Sequence, residues 1–360
     1  MENYKKHILI LTPGFPKDEN DDNCIPPFQI FLENFKGTYD DWKISVVTLH
    51  YPKNKLKYDW HNIDVFTCGG NDASFPKRFK FWKEAISYAK KITEEFPISL
   101  VHSFWLGECA LLGSVISNRY KIPHINTLMG QELNNSNKYL KFITLKKMKV
   151  IALSERQALI FKNKTRREVD EIIPWGVRAN EINANEMRDI DIIGVGSLTS
   201  LKNFELFIEV LNEVKKNFPD IRAVIIGDGI EKEKLNQSIE NFGLMKNLKL
   251  LGNLKRQEVL NLMSRSKILL HTSKFESFGY ALAEALANGC YVICSSTGFA
   301  QRTKKMHLAN EGKEFVKIII DLMNNKPDYN PEIPFALDKT SAMYNVLYNQ
   351  IAKGLLKSSA

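Results

Sequence analysis

The chain is poor in cysteine, with five in 360 residues, at positions 24, 68, 109, 290 and 294. An odd number set in mostly apolar segments fits reduced thiols better than a framework of paired disulfides. Cys290 and Cys294 share one strand-like run, where core packing rather than metal binding is the expectation. The seven histidines are scattered without paired ligand spacing, so neither a metal site nor a bound cofactor is expected. No apolar run approaches the roughly eighteen residues that a membrane-crossing helix needs. After "MENYKK" the stretch "HILILT" is short and breaks at Pro13 and Gly14, so no secretory leader is read there. Repeats of roughly 20–50 residues and low-complexity tracts are also missing, which argues against a solenoid. These absences lead to the expectation of a cytoplasmic protein, with peripheral contact at the inner face of the cell membrane left open.

What is present is an ordinary globular composition, 44% apolar and 25% charged, in a chain long enough for two domains. The formal charge is +9. Residues 1–188 carry 28 Lys and Arg against 22 Asp and Glu, and the remainder carries 22 against 19. A basic excess in the first half suits an anionic partner, either a phospholipid surface or a phosphorylated substrate. No nucleic-acid-binding motif accompanies it, so nucleic acid is not expected. The segment "PKRFKFWKEAISYAKK" interleaves Lys77, Arg78, Lys80 and Lys83 with Phe79, Phe81 and Trp82. That pattern fits shallow contact with anionic lipid, and equally a helix whose aromatics face a core.

Short β-rich runs alternate with helical patterns throughout, which predicts parallel α/β architecture. The first half offers "HILILT", "KISVVTL", "IDVFTC", "SLVHSF", "HINTLM", "KVIALS" and "EIIPW"; the second offers "DIIGVGS", "RAVIIGD", "LKLLG", "KILLHTS" and "YVICSS". The polar stretch "GVRANEINANEMRD" between them is the candidate linker. We therefore expect one doubly wound, Rossmann-like domain over residues 1–180, a second over 189–330, and a last helix over 340–356. Ligands of such sheets bind at the carboxyl ends of the strands, here in a central cleft.

Three segments of the second half carry candidate chemistry. In "DIIGVGSLTSLKNFELFIEVL", Gly194 and Gly196 permit a tight turn and Lys202 stands just before a helix, an arrangement suited to a diphosphate. Thr199 occupies the place of a dinucleotide fingerprint's third glycine, which weakens a nicotinamide-dependent oxidoreductase reading. The alternative for Lys202 is a solvated loop lysine. "VIIGDGIEKEKL" reads alone as a strand-to-helix turn. In "FESFGYALAEALANG", apolar residues surround a helix that carries Glu284 in its middle, with Glu276 before it. A lone buried carboxylate is costly unless a polar group receives it, so Glu284 marks either a ligand contact or a gap in packing. Ser277, Phe278 and Gly279 offer backbone amides at the helix start. A phosphorylated, polyhydroxylated ligand satisfies these groups together, and a sugar nucleotide is the natural candidate.

These segments in this order resemble a family 4 retaining glycosyltransferase of the GT-B fold, whose Glu-x7-Glu signature matches Glu276 and Glu284. "ILILTPGFP", "SLVHSFW", "IPHINTLMGQE" and "IALSERQ...IIPWGV" follow the family's order in the first half, so the resemblance covers nearly the whole chain. It implies two Rossmann-like domains facing a cleft, with the last helix packing back toward the N-terminal domain. It also implies roles: Lys202 on the donor diphosphate, Glu276 on the transferred sugar, the backbone around Ser277, Phe278 and Gly279 on sugar and phosphate. Glu284 is implied to hold the ribose, the backbone around Leu254 the base, and Gly14 the diphosphate from the other domain. Two departures stand out. Ser197 replaces a frequent arginine, leaving Arg178 or Arg302 as substitute cations. Met129 stands where many members place a histidine, and a thioether cannot replace its hydrogen bond. His102, Met129, Gly130 and Glu132 are the residues expected on the acceptor side. The implied reaction is metal-independent transfer with retention, from a nucleoside-diphosphate sugar to a hydroxyl of a glycan or lipid-linked acceptor, in cell-surface polysaccharide biosynthesis. The alternatives are a GT-B epimerase or hydrolase, and a donor-binding protein that has lost turnover.

Overall fold

The computed structural model describes residues 4–22, 24–74, 76–133, 137–182, 187–325 and 327–358, without the side chains of residue 131 and of 353–358. The chain divides into two compact units, residues 1–175 with 337–360, and residues 176–336.

The first unit is built on β1 (Lys6–Gly14), β2 (Trp42–Tyr51), β3 (Lys57–Trp60), β4 (Ile63–Thr67), β5 (Leu100–Phe104), β6 (His124–Thr127), β7 (Lys149–Ala152) and β8 (Glu171–Ile172). Their order is β3-β4-β2-β1-β5-β6-β7-β8, parallel except for the β3–β4 pair. The helices are α1 (Pro26–Thr38), α2 (Arg78–Glu95), α3 (Glu108–Tyr120) and α4 (Glu155–Thr165). Alternate residues of β1 feed opposite faces, as the pleat requires. Leu9 and Leu11 join Phe81, Ala85, Ala89 and Leu112 from α2 and α3.

The second unit runs β9 (Ile190–Val195), α5 (Phe204–Lys215), β10 (Ala223–Ile226), α6 (Lys232–Asn241), β11 (Leu248–Leu250), α7 (Arg256–Ser264), β12 (Ser266–His271), α8 (Tyr280–Ala287), β13 (Tyr291–Cys294), β14 (Met306–Leu308) and α9 (Gly312–Asn324). Its all-parallel order β11-β10-β9-β12-β13-β14 is the doubly wound arrangement that reverses between β9 and β12. Ile192, Ile268 and Leu270 enter one core with α5 and α9, while Ile193 and Leu269 enter the other with α7 and α8. Two apolar faces explain why these strands read as unbroken apolar runs.

The last helix, α10 (Leu337–Ser358), belongs to the first unit. Tyr344 packs on Phe31 with centroids 4.7 Å apart and Tyr348 on Phe35 at 5.4 Å. Thr340 Oγ1 donates to Pro174 O at 2.8 Å. Both tyrosines are fully buried, and burying each contributes about 1.5–3 kcal/mol.

The structure departs from the sequence reading in three places. β3 and β14 lie at sheet edges, and their short, half-polar sequences carry little apolar signal. The units part after Trp175 rather than at 180, because Val177 N–H donates to Phe335 O within the second unit. The candidate linker is thus held at both ends: Arg188, 8% exposed, donates to Asn288 O at 2.8 Å and lies over the Tyr329 ring. Residues 183–186 of that stretch lie outside the described residues.

Candidate active site

The switch point of the second sheet places the ends of β9 and β12 side by side, and the candidate residues follow them. After β9 the chain crosses the end of β10: Gly196 N–H donates to Ile226 O at 3.0 Å and Leu198 N–H to Asp228 O at 2.9 Å. This crossing requires glycine beneath it, since a Cβ on Gly227 would lie 1.9 Å from Gly196 O and one on Gly229 2.4 Å from Leu198 O. The glycines of "VIIGDG" are thus packing residues of the β9–α5 loop.

That loop delivers Lys202, whose ammonium pairs with Glu276 Oε1. Its backbone is tied to the end of β12 by Thr272 Oγ1, which donates to Lys202 O at 3.1 Å and to Asn203 O at 2.9 Å. His271, the last residue of β12, is buried and stands with Nε2 3.0 Å from the same Glu276 oxygen. Burial pushes the Glu276 carboxyl up, but the hydrogen bonds and charges of His271 and Lys202 outweigh this and hold it down at about 2. Glu276 is therefore a permanent carboxylate with an acceptor oxygen to offer.

The segment after Glu276 is braced from beneath. Phe278 is buried against Phe299 at 4.9 Å and Phe335 at 5.5 Å, so its side chain is an anchor and only its backbone is available at the helix start. Gly279, at φ 88°, supplies the left-handed N-cap of α8, from which the first amides point out of the helix. Ser277 is half-buried at the same turn, and Ser197 is exposed in the lysine loop.

Glu284 is not alone. Arg256 Nη2 donates to its Oε1 at 2.7 Å, and Arg256 Nη1 to Glu181 at 2.6 Å. Arg178 lies on Glu181 at 3.2 Å, so it belongs to this cluster rather than to the lysine loop; Arg302 is exposed. Burial pushes the Glu284 carboxyl up to about 7, with Arg256 opposing and the charge of Glu181 adding to the rise. A gap in packing is thus excluded: the buried carboxylate is received by an arginine. Leu254 stands half-buried just before α7, on the apolar cluster that contains Leu282 of α8.

Sequence reasoning missed Arg256 and His271. His271 was legible in principle, as the last residue of a strand five positions before Glu276. Arg256 carries no such signal, because its 28-residue separation from Glu284 is closed only by α7 lying on α8.

In the first unit Gly14 ends β1, and a Cβ there would meet Tyr51 Cβ at an ordinary 3.5 Å, so the chain's own packing does not demand a glycine. His102 must be corrected as an acceptor-side residue. It is fully buried, with Nδ1 2.8 Å from Tyr348 Oη and Nε2 2.8 Å from Thr127 Oγ1, so both nitrogens are spent inside the core. Met129 is half-buried; its amide and that of Gly130 donate to the Glu132 carboxylate, the latter at 2.6 Å. Burial pushes Glu132 up against these backbone bonds, making it a brace of its own loop. Among the described residues no group of three or more His, Cys, Asp or Glu side chains gathers to hold a metal ion, and no helix is long and apolar enough to cross a membrane.

Two parallel-sheet units, the second with charged residues gathered at its switch point, define the GT-B architecture. Solved structures agree on the fold: the Anabaena protein HepE in complex with UDP and glucose superposes with a TM-score of 0.70 at 17% identity, over 98% of this chain and 100% of that one. The family model described as "Glycosyl transferases group 1" matches residues 178–331. An uncharacterised glycosyltransferase of Methanocaldococcus jannaschii is 31% identical over 283 residues, 75% of each chain. The gpi3 subunit of the phosphatidylinositol N-acetylglucosaminyltransferase of Schizosaccharomyces pombe is 28% identical over 179 residues, 48% of this chain but 39% of that one. The chain belongs to the group 1 glycosyltransferases, the family 4 class with the GT-B fold.

Proposed function

We propose that the protein moves a sugar from a nucleoside-diphosphate sugar to an acceptor hydroxyl with retention, without a metal ion, in the building of a cell-surface glycan. The observation that carries this reading is the Lys202–Glu276 pair at the switch point, beside the N-terminus of α8. An ammonium has three donors, so Lys202 can keep Glu276 and still bind a diphosphate oxygen. With the α8 amides it stabilises the charge that grows on the leaving diphosphate, an electrostatic contribution that acts most strongly in the transition state. Glu276, ionised at every working pH, accepts hydroxyls of the transferred sugar. The acceptor hydroxyl approaches from the face the diphosphate leaves, and the diphosphate takes its proton. Glu284, oriented by Arg256, accepts the ribose hydroxyls, and the backbone at Leu254 holds the base.

UDP and UDP-sugars are the first probes, since the Anabaena protein of the same fold holds UDP. Product analysis with EDTA present tests the reading. Transfer of the sugar with its anomeric configuration kept is the expected result, and inversion or complete dependence on added magnesium or manganese overturns it. A second reading, a donor-binding protein without turnover, draws on Met129 and Ser197, which stand where the family often has a histidine and an arginine. Nucleotide binding without any product favours it.

The reaction is proposed for the cytoplasmic face of the membrane. Phe81 is buried in the core, but Phe79 is 46% exposed and flanked by exposed Lys77, Lys80 and Lys83. Sedimentation with anionic vesicles should exceed that with neutral ones at low salt, and equal recovery removes the idea.

A further inference from the structure

The first unit contains a cavity of about 940 Å³ at the carboxyl ends of β1 and β5. Its walls are aromatic and aliphatic: Trp82, Trp105, Tyr139, Phe142 and Leu111. Phe142 is 72% exposed at its rim. Trp105 is held at φ 70°, a left-handed conformation that bulky side chains rarely adopt. Its amide donates to Thr127 O at 3.0 Å and its carbonyl accepts from Asn126 Nδ2 at 3.1 Å, so the strained backbone is fixed from both sides. Strain retained at one wall of a cavity points to a task for that wall.

Most polar groups at the back of the cavity are already used. Glu108 accepts from Trp82 Nε1, from His50 Nε2 at 2.9 Å and from Arg78 Nη1 at 3.1 Å. The Trp82 indole therefore turns its N–H to the protein. Glu132 is occupied by backbone amides. Asn137 Nδ2 donates to Leu106 O at 2.6 Å and Glu132 O at 2.9 Å, and its Oδ1 accepts from Tyr139 N–H at 3.1 Å. A hydroxyl-rich glycan would meet few acceptors here, whereas an apolar chain would lose only water. Of the charged groups in the lining, Glu108 is matched by Arg78 and Glu132 by backbone amides, while exposed Lys138 has no acidic partner among the described residues.

We propose that this cavity takes the apolar part of an amphiphilic, phosphate-bearing acceptor, with Lys138 at its rim meeting the phosphate. Its role as the acceptor site rests on the transferase reading above. Isothermal titration calorimetry of the full chain tests it, with farnesyl phosphate, dihexanoyl phosphatidic acid, farnesol and maltotriose as probes below any micelle concentration, and UDP titrated in parallel. One or both phosphate amphiphiles should bind, and which of them does distinguishes an isoprenoid from a glycerolipid. Maltotriose should not bind. Trp105→Ala should weaken the amphiphile at least tenfold and leave UDP unchanged. Lys138→Glu, at an exposed position, should weaken the phosphate amphiphile severalfold and leave farnesol unchanged. UDP binding with no amphiphile binding overturns the proposal while the donor reading stands, as does maltotriose binding lost in Trp105→Ala. Amphiphile binding indifferent to both substitutions also overturns it. Amphiphile binding without any nucleotide binding overturns the acceptor role.

Discussion

Glu276 and Glu284 lie eight residues apart, both largely buried and both facing a cation, yet their surroundings drive them in opposite directions. Glu276 faces Lys202 and His271 and is held down at about 2; Glu284 shares Arg256 with Glu181 and is pushed up to about 7. The difference lies in the ratio of partners. Two donors on one carboxylate outweigh its burial, whereas one arginine divided between two carboxylates does not. A cation within reach is thus not enough to fix a carboxylate's charge. The first site is a permanent anion suited to the reacting sugar, and the second titrates near neutrality.

The largest expected effect breaks the comparison at Glu276. Glu276→Gln keeps the shape and removes the charge, so turnover with the full donor should fall about 100–1000-fold, the usual loss for one transition-state contact. A loss under tenfold would mean that Glu276 only props up the lysine loop. Next is Glu284→Gln, for which nucleotide affinity should drop roughly tenfold to a hundredfold through one hydrogen bond to a charged group. Circular dichroism should show an unchanged fold, because a neutral side chain is easier to bury there.

A smaller effect separates the two by pH. Under the proposed ribose role of Glu284, affinity for UDP should rise about tenfold between pH 6 and pH 8, and this step should vanish in Glu284→Gln. Comparing both proteins with the same ligand cancels the titration of the phosphate itself. Stability carries the opposite signs. Glu284, raised from 4.5 to about 7, contributes fully below pH 4.5 and loses that contribution as pH rises through about 7. Glu276, lowered from 4.5 to about 2, contributes above pH 4.5 and loses it as pH falls through about 2. Urea unfolding across pH in the two glutamine variants checks both signs. The smallest effect is that of His271→Gln, which leaves Lys202 in place: turnover should fall only a few-fold. A loss as large as that of Glu276→Gln would give His271 a direct part in the reaction.

Much of this was legible because strands covered on both faces, such as "RAVIIG", write their burial into continuous apolar runs. Glu284 and Lys202 stand out by local pattern, a carboxylate inside an apolar helix and a lysine before a helix start, while Glu276 is marked by its spacing from Glu284 in the family signature. What stayed hidden depends on distant chain. His102 ends up in a core because α10 returns from the C-terminus to lay Tyr348 against it, 246 residues away. Arg256 meets Glu284 only through helix packing, and β3 and β14 are edge strands with too few apolar residues to announce themselves.

The most direct test is calorimetry with UDP on the wild-type chain beside Glu276→Gln and Glu284→Gln. A nucleotide clamp at Glu284 and a sugar contact at Glu276 predict that Glu284→Gln loses UDP affinity while Glu276→Gln keeps it within a few-fold. Normal UDP binding by Glu284→Gln, or loss in Glu276→Gln alone, would contradict that division of labour.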